Sequence, residues 1–261
     1  MFDSSLTVCG LVAEAVVALL LVRKHVFRTH PAFFLYVCWS LASDAFFLVV
    51  QLRFPNAPYA LYEAQMVIDS AMIFAVLVEL AWSVLQPIRG SLPKGSWIGI
   101  ALLIALAGLL LWPVAGLTIP GNLTPQARNF FRLSQTFAIL RVVFFLAMAG
   151  FSQLLAIGWR NRELQIASGW GFFSIVSLAA SVVHAHQNVG AQYHWMDEMV
   201  AISYFGTLVY WVLAFTTKEA ERKDFSPQML SFMLLVGSTA RTSRVALREM
   251  VVTKSRRKDH Q

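Results

Sequence analysis

Ionisable side chains lie inside the long apolar runs of this chain, where they could bind a polar ligand, conduct ions or hold helices together. A carboxylate or guanidinium at the centre of a bilayer costs at least about 2.5–3.5 kcal/mol, so it must face protein, ligand or water rather than lipid. We therefore expect these side chains to form a polar core inside a helical bundle. The five residues are Glu14, Asp44, Asp69, Glu79 and Arg141.

Arg141 is the one base among these five residues. At a helical rise of about 1.5 Å per residue, it lies within about two turns of the depth of Asp69. We expect Arg141 to point inward and to pair with Asp69, with Asp44 and Glu14 as alternative partners. Two interpretations stay open for the whole set: a ligand pocket or ion path that opens outward, and an ion pair that fixes helix register.

Histidines cluster late in the chain. His184, His186 and His194 precede Asp197 and Glu198, and such side chains are ligands that Zn²⁺ accepts. The spacing H-x-H-x7-H matches no established zinc signature, and a polar, pH-responsive segment explains the same residues. The sequence leaves both interpretations open.

Aromatic side chains mark the last apolar run, which contains Tyr204, Tyr210, Trp211 and Phe215. They could line a chromophore or lipid pocket, or they could be ordinary packing residues. No lysine precedes Lys218 in that run, so a retinal Schiff base of the rhodopsin type lacks its residue.

The composition indicates a polytopic membrane protein. Of 261 residues, 57% are hydrophobic and only 13% are charged, against about 25% charged residues in soluble domains. The net charge of +7 does not indicate nucleic-acid binding, because the basic residues fall in the links between apolar runs and in the tail.

Seven apolar runs are long enough to cross a bilayer, which takes about 20 residues as a helix. We therefore predict an all-α, seven-transmembrane-helix bundle over residues 1–218. The third run carries Asp69 and Glu79 inside the span and Glu63 at one edge, and it is expected to lie in the middle of the bundle. The predicted spans are residues 6–22, 31–51, 62–86, 97–114, 130–157, 165–183 and 199–217.

Lys and Arg concentrate in the links after the first, third and fifth spans and in the tail. The opposite links hold only Arg53, Arg128 and Arg132. The positive-inside rule then places the N-terminus outside and the C-terminus in the cytoplasm, in the inner (plasma) membrane of the cell. Residues 219–261 form a basic tail, in which we expect an amphipathic helix over about 226–252 that contacts anionic lipid or a cytoplasmic partner.

The chain resembles the seven-helix sensor region of bacterial histidine kinases. The resemblance lies in the seven spans, the outer N-terminus and the segment THPAFFLYVCWSLASDAFFLVV after a basic first link. The resemblance covers about residues 5–218. The tail has no room for the phosphoacceptor and ATP-binding domains. The resemblance therefore implies a receptor or sensor that signals through a separate cytoplasmic protein.

Two other classes of function fit the sequence less well. One is a zinc hydrolase of the seven-helix group that includes the progestin-receptor-like proteins and the alkaline ceramidases. The chain is similar to that group only in Asp44, Asp69, Ser70 and its late histidines, and it lacks the H-x-x-x-H that the group has in its last helix. A small-solute transporter ranks third, because no internal repeat is visible. We expect a non-enzymatic protein whose ligand and cofactor the sequence does not identify.

Overall fold

The computed structural model describes residues 2–53, 59–86, 95–118, 124–152, 160–186, 194–217 and 231. Within these ranges the chain is helical throughout and contains no strand, which confirms the all-α prediction there. The predicted tail helix lies outside the described residues. The helices are α1 (Phe2–Arg23), α2 (Val26–Thr29), α3 (Pro31–Arg53), α4 (Tyr59–Val84), α5 (Ser96–Ala115), α6 (Pro125–Gly150), α7 (Arg162–His186) and α8 (His194–Thr216), with a 3-10 turn at Gly116–Thr118.

Six of these helices are long and apolar enough to cross a membrane: α3, α4, α5, α6, α7 and α8. The described part of the chain is therefore that of an all-helical membrane protein. The helix α1, which corresponds to the first predicted span, has 22 residues and is not among the six.

Local chemistry explains where several helices begin. Pro31 is the first residue of α3, as predicted, since proline suits the first helical turn. Thr124 accepts a hydrogen bond at 3.3 Å from the amide of Ala127 and so caps α6, whose first residue is Pro125. The helix α7 begins earlier than the predicted residue 165, because Arg162 is already helical and buried.

The helices α1, α3, α4, α6, α7 and α8 form a closed ring, in which each packs on the next and α8 returns to α1. The helix α5 lies outside this ring against α4 and α6. Leu102, Leu103, Leu109 and Leu110 on α5 are all exposed. The polar centre must therefore be built by the six ring helices, and α5 is peripheral to it.

An aromatic cluster joins α3, α7 and α8. The Phe33 ring lies 5.1 Å from the Trp211 ring and 6.0 Å from the Phe215 ring, and 6.2 Å from the Trp170 ring. Trp211 and Phe215 are buried, so the packing interpretation fits these two aromatic residues of the last helix. These two residues lie at the end of the bundle where α3 begins, which we call the Pro31 end.

Candidate functional site

The side chain of Glu14 joins three helices. It lies on α1, is 1% exposed, and accepts hydrogen bonds from Ser40 on α3 at 2.9 Å and from the Tyr204 hydroxyl on α8. The Ser40 and Tyr204 hydroxyls also lie 3.1 Å apart. These three residues, the Glu14 node, connect α1, α3 and α8 at a single point.

A second acid lies next to this node. The Asp44 carboxyl group lies close enough to that of Glu14 for the two acids to interact. Glu14 Oε2 accepts no hydrogen bond from an N–H or O–H donor of the described chain. Asp44 and Tyr204 line a cavity of about 300 Å³ between α1, α3 and α8. The buried Glu14 and the half-buried Asp44 thus lie beside this cavity.

Arg141 and Asp69 lie in the same polar centre, closer to α6 and α7. Trp39 donates a hydrogen bond to Asp69 at 2.6 Å, and the Arg141 guanidinium lies 5.5 Å from the centre of the Phe173 ring. Arg141 acts electrostatically on Asp69 and on Tyr36. The described contacts of Arg141 include no direct ion pair, and its Nε has no hydrogen-bond partner. Asp69 is thus the acid in electrostatic range of Arg141.

Glu79 has a different partner from the other acids. Its two carboxylate oxygens accept hydrogen bonds from the backbone amides of Ala32 at 2.8 Å and Phe33 at 3.0 Å. These amides lie in the first turn of α3, where no intrahelical acceptor exists and the helix dipole favours negative charge. Glu79 therefore caps α3 from the neighbouring helix α4.

A polar cluster that the sequence did not predict lies at the Pro31 end. Arg162 donates hydrogen bonds to the carbonyl oxygens of Ala214 at 2.8 Å and Thr217 at 3.0 Å, at the C-terminal end of α8. Ser83 donates to Glu163 at 2.7 Å. The arrangement fixes the start of α7 against the end of α8, where a cation is favoured by the helix dipole.

His30 is buried in the same region, just before α3, and is 3% exposed. Burial lowers the pKa of His30 below its ordinary value of 6.5. The charge of Glu163 opposes this shift of the His30 pKa, and the charge of Arg162 adds to it. A neutral imidazole therefore fits the folded protein.

The predicted zinc ligands cannot be compared with this geometry. His184 and His186 end α7 and His194 begins α8, but their side chains lie outside the described part of the chain. Among the side chains that are described, no three His, Cys, Asp or Glu residues are grouped to hold a metal ion. Zinc at the three histidines stays a prediction.

The five predicted polar residues are divided among three places. Glu14 and Asp44 are together, Asp69 and Arg141 lie near them, and Glu79 is at the Pro31 end. Ser40, Trp39 and Tyr36 also belong to this polar centre and are not among the residues expected from the sequence. The signal was present, because α3 repeats a polar or aromatic residue every three or four positions, which places them on one helical face. The residues of that face are Tyr36, Trp39, Ser40, Ser43 and Asp44.

No protein-family model, curated protein or solved structure matches the chain. The described residues define an all-helical membrane protein with a polar centre and a cavity beside it.

Proposed function

We propose that this protein is a seven-helix receptor or sensor of the inner (plasma) membrane, which binds a ligand from outside and acts through its cytoplasmic tail. The observation that carries the proposal is the contact between Glu14 and Tyr204. Tyr204 lines the cavity and lies on α8, the helix that leads into the tail, and its hydrogen bond to Glu14 connects this part of the wall to α1.

The packing of α1 supports a seventh span. It lies in the ring between α3 and α8, both of which are long and apolar enough to cross the membrane. Its 22 residues give about 33 Å of helix, which is sufficient for the hydrocarbon core. The only acid in its central part is Glu14, which faces the bundle.

The distribution of charge supports an outer N-terminus. Basic residues dominate the links at the Pro31 end and the tail, so this end is placed in the cytoplasm. The cavity, which is bordered by Thr7, Asp44 and Ala201, then opens outward. In this orientation residues 219–261 meet anionic lipid and a cytoplasmic signalling protein.

A ligand can change the bundle only by its different affinity for two packings of the helices. A group that binds Asp44 or Tyr204 competes with the hydrogen bonds of the Glu14 node. Loss of these bonds frees α8 from α1 and α3 at one end. At the other end, Arg162 holds the carbonyl oxygens of Ala214 and Thr217, so a shift of α8 changes where the tail begins.

Hydrogen exchange in lipid nanodiscs tests this connection. Tyr204→Phe removes the hydroxyl that donates to Glu14 and keeps the ring. We expect faster amide exchange in the last turns of α8, in peptides that cover residues 208–217. Ile202→Ala is the matched control, because Ile202 lies on the same helix and is 51% exposed.

Peptides from α5 provide the internal reference, since α5 packs on α4 and α6. Faster exchange in α8 with unchanged exchange in α5 supports the sensor. Equal exchange in the Tyr204→Phe protein and the wild type would show that the Glu14 node does not communicate with the tail end of α8. The sensor proposal would then lose its means of transmission.

A further inference from the structure

Among the described residues, the two acids at the cavity have no positive partner of the kind that the other central acids have. Asp69 lies in the field of Arg141, and Glu79 binds the amides at the positive end of α3. Glu14 and Asp44 have each other and neutral hydroxyl groups. No Lys, Arg or His is among the described residues that line the cavity. Within the described residues, no positive charge faces these two acids.

Glu14 is also incompletely hydrogen-bonded. It is 99% buried, since its exposed fraction is 1%, and its Oε2 atom has no donor within the described residues. Gly10, four residues before it on the same face of α1, lines the cavity. Glu14 thus lies one helical turn below the cavity wall. A buried acceptor without a donor costs about 1–3 kcal/mol, which a ligand that donates there can recover.

The cavity wall is suited to an organic cation. Phe47 and Phe205 provide aromatic side chains, Thr7 and Tyr204 are hydroxyl-bearing residues, and Asp44 provides a carboxyl group. Ammonium groups bind aromatic faces by cation–π attraction and carboxylates by charge-assisted hydrogen bonds. The volume of about 300 Å³ lies at the lower end of small-molecule pockets.

We propose that this cavity binds a small protonated amine with an apolar body, and that this amine is the outer ligand of the sensor proposed above. Its ammonium group is placed between Asp44 and Glu14, and its apolar part between Phe47 and Phe205. A divalent metal fits less well, because Ca²⁺ takes six to eight oxygen ligands and this wall is mainly apolar. The inference rests on the proposed outward opening of the cavity.

Titration calorimetry of the full chain in nanodiscs tests the charge of the ligand. The probes are phenethylamine, which is protonated at neutral pH, and 2-phenylethanol, which has nearly the same shape and is neutral. We expect phenethylamine to bind at least about tenfold more tightly. Equal affinities, binding of the alcohol alone, or binding of Ca²⁺ without the amine would overturn the proposal.

Two pairs of variants locate the binding. Asp44→Asn should weaken phenethylamine binding at least tenfold, whereas Glu63→Gln, which removes an acid on α4, should not. Gly10→Leu fills the cavity without changing charge, since a Cβ there meets no atom within 4 Å, and it should abolish binding. Gly99→Leu on α5 is its control. Unchanged binding in both Asp44→Asn and Gly10→Leu would place the amine elsewhere and contradict the proposal.

Hydrogen exchange separates this inference from the sensor itself. If Tyr204→Phe accelerates exchange in α8 but phenethylamine does not bind, the class of ligand is wrong and the connection to α8 stands. If phenethylamine binds in an Asp44-dependent manner but neither the amine nor Tyr204→Phe alters exchange in α8, the site stands and the sensor proposal fails.

Discussion

The carboxylate of Glu79 on α4 accepts a hydrogen bond at 3.0 Å from the backbone amide of Phe33 on α3. Its other oxygen accepts from Ala32 at 2.8 Å. An acid that is costly in lipid is therefore stabilised by the positive end of a helix rather than by a basic side chain. Glu79 thus belongs to the packing of α3 against α4 and lies apart from the cavity.

Removal of this cap should destabilise the bundle. Glu79→Ala leaves two amides of α3 without their charged acceptor, and we expect a loss of about 2–4 kcal/mol in the free energy of unfolding. Glu79→Gln keeps one acceptor oxygen and should cost less than Glu79→Ala. The measurement is thermal unfolding in mild detergent. Equal stability of Glu79→Ala and wild type would show that the cap contributes nothing.

The expected pairing of Arg141 with Asp69 predicts a non-additive double mutant. Arg141→Met or Asp69→Asn alone should each lower stability by about 1–3 kcal/mol, because the remaining charge is buried without its counterpart. The double mutant should lose about 1 kcal/mol less stability than the sum of the two single losses. Arg141→Met combined with Glu198→Gln is the control and should be additive. Additive losses for Arg141 and Asp69 would point instead to Asp44 or Glu14 as the partner.

Burial of His30 predicts a stability that depends on pH. Its pKa is lowered in the folded protein, so between the folded pKa and 6.5 the unfolded chain binds more protons. The stability contributed by the buried, neutral His30 is therefore complete above pH 6.5 and is lost as the pH falls through the pKa of His30 in the folded protein. We expect the Tm to fall from pH 7.5 to pH 5, and to fall less in His30→Gln. An equal decrease in both proteins would exclude His30 as the cause.

The close approach of α7 and α8 predicts a difference between two glycines. A Cβ at Gly169 would lie 2.8 Å from Cε2 of the buried Trp211, so Gly169→Ala should cost about 1–3 kcal/mol. Gly206→Ala on α8 meets no atom within 4 Å and should be neutral or stabilising by up to about 1 kcal/mol. Thermal unfolding of the two variants measures the difference, and equal Tm values would contradict this packing.

The sequence predicts helices well here because their signals are local. The apolar runs, Pro31 and the Thr124 cap each indicate a helix or its start without information about neighbours. The burial of Arg162 was not predictable in this way, since it depends on carbonyl oxygens of Ala214 and Thr217, which are distant in sequence. From the sequence alone, a basic residue beside a span indicates only a charge at the membrane surface.

The polar centre shows the same limit. Its five residues were identified because an ionisable group in an apolar run is unusual. Their partners are mostly neutral: Ser40, Tyr204, Trp39 and the α3 amides. Such residues are common in membrane helices, so only their arrangement in space distinguishes them. The depth of Arg141 in the membrane predicts that it lies near Asp69. Depth does not predict the cation–π contact with Phe173 or the longer-range attraction to Asp69 that the structure shows.

Cysteine labelling in intact cells tests the central claim most directly, namely that the cavity opens outside and the tail lies in the cytoplasm. In a Cys9→Ala, Cys38→Ala background, single cysteines replace Ala201 at the cavity wall, Asn122 in the link after α5, or Ser255 in the tail. A membrane-impermeant maleimide should label positions 201 and 122 in intact cells, and position 255 only after permeabilisation. Labelling of positions 201 and 255 from the same side would contradict the account.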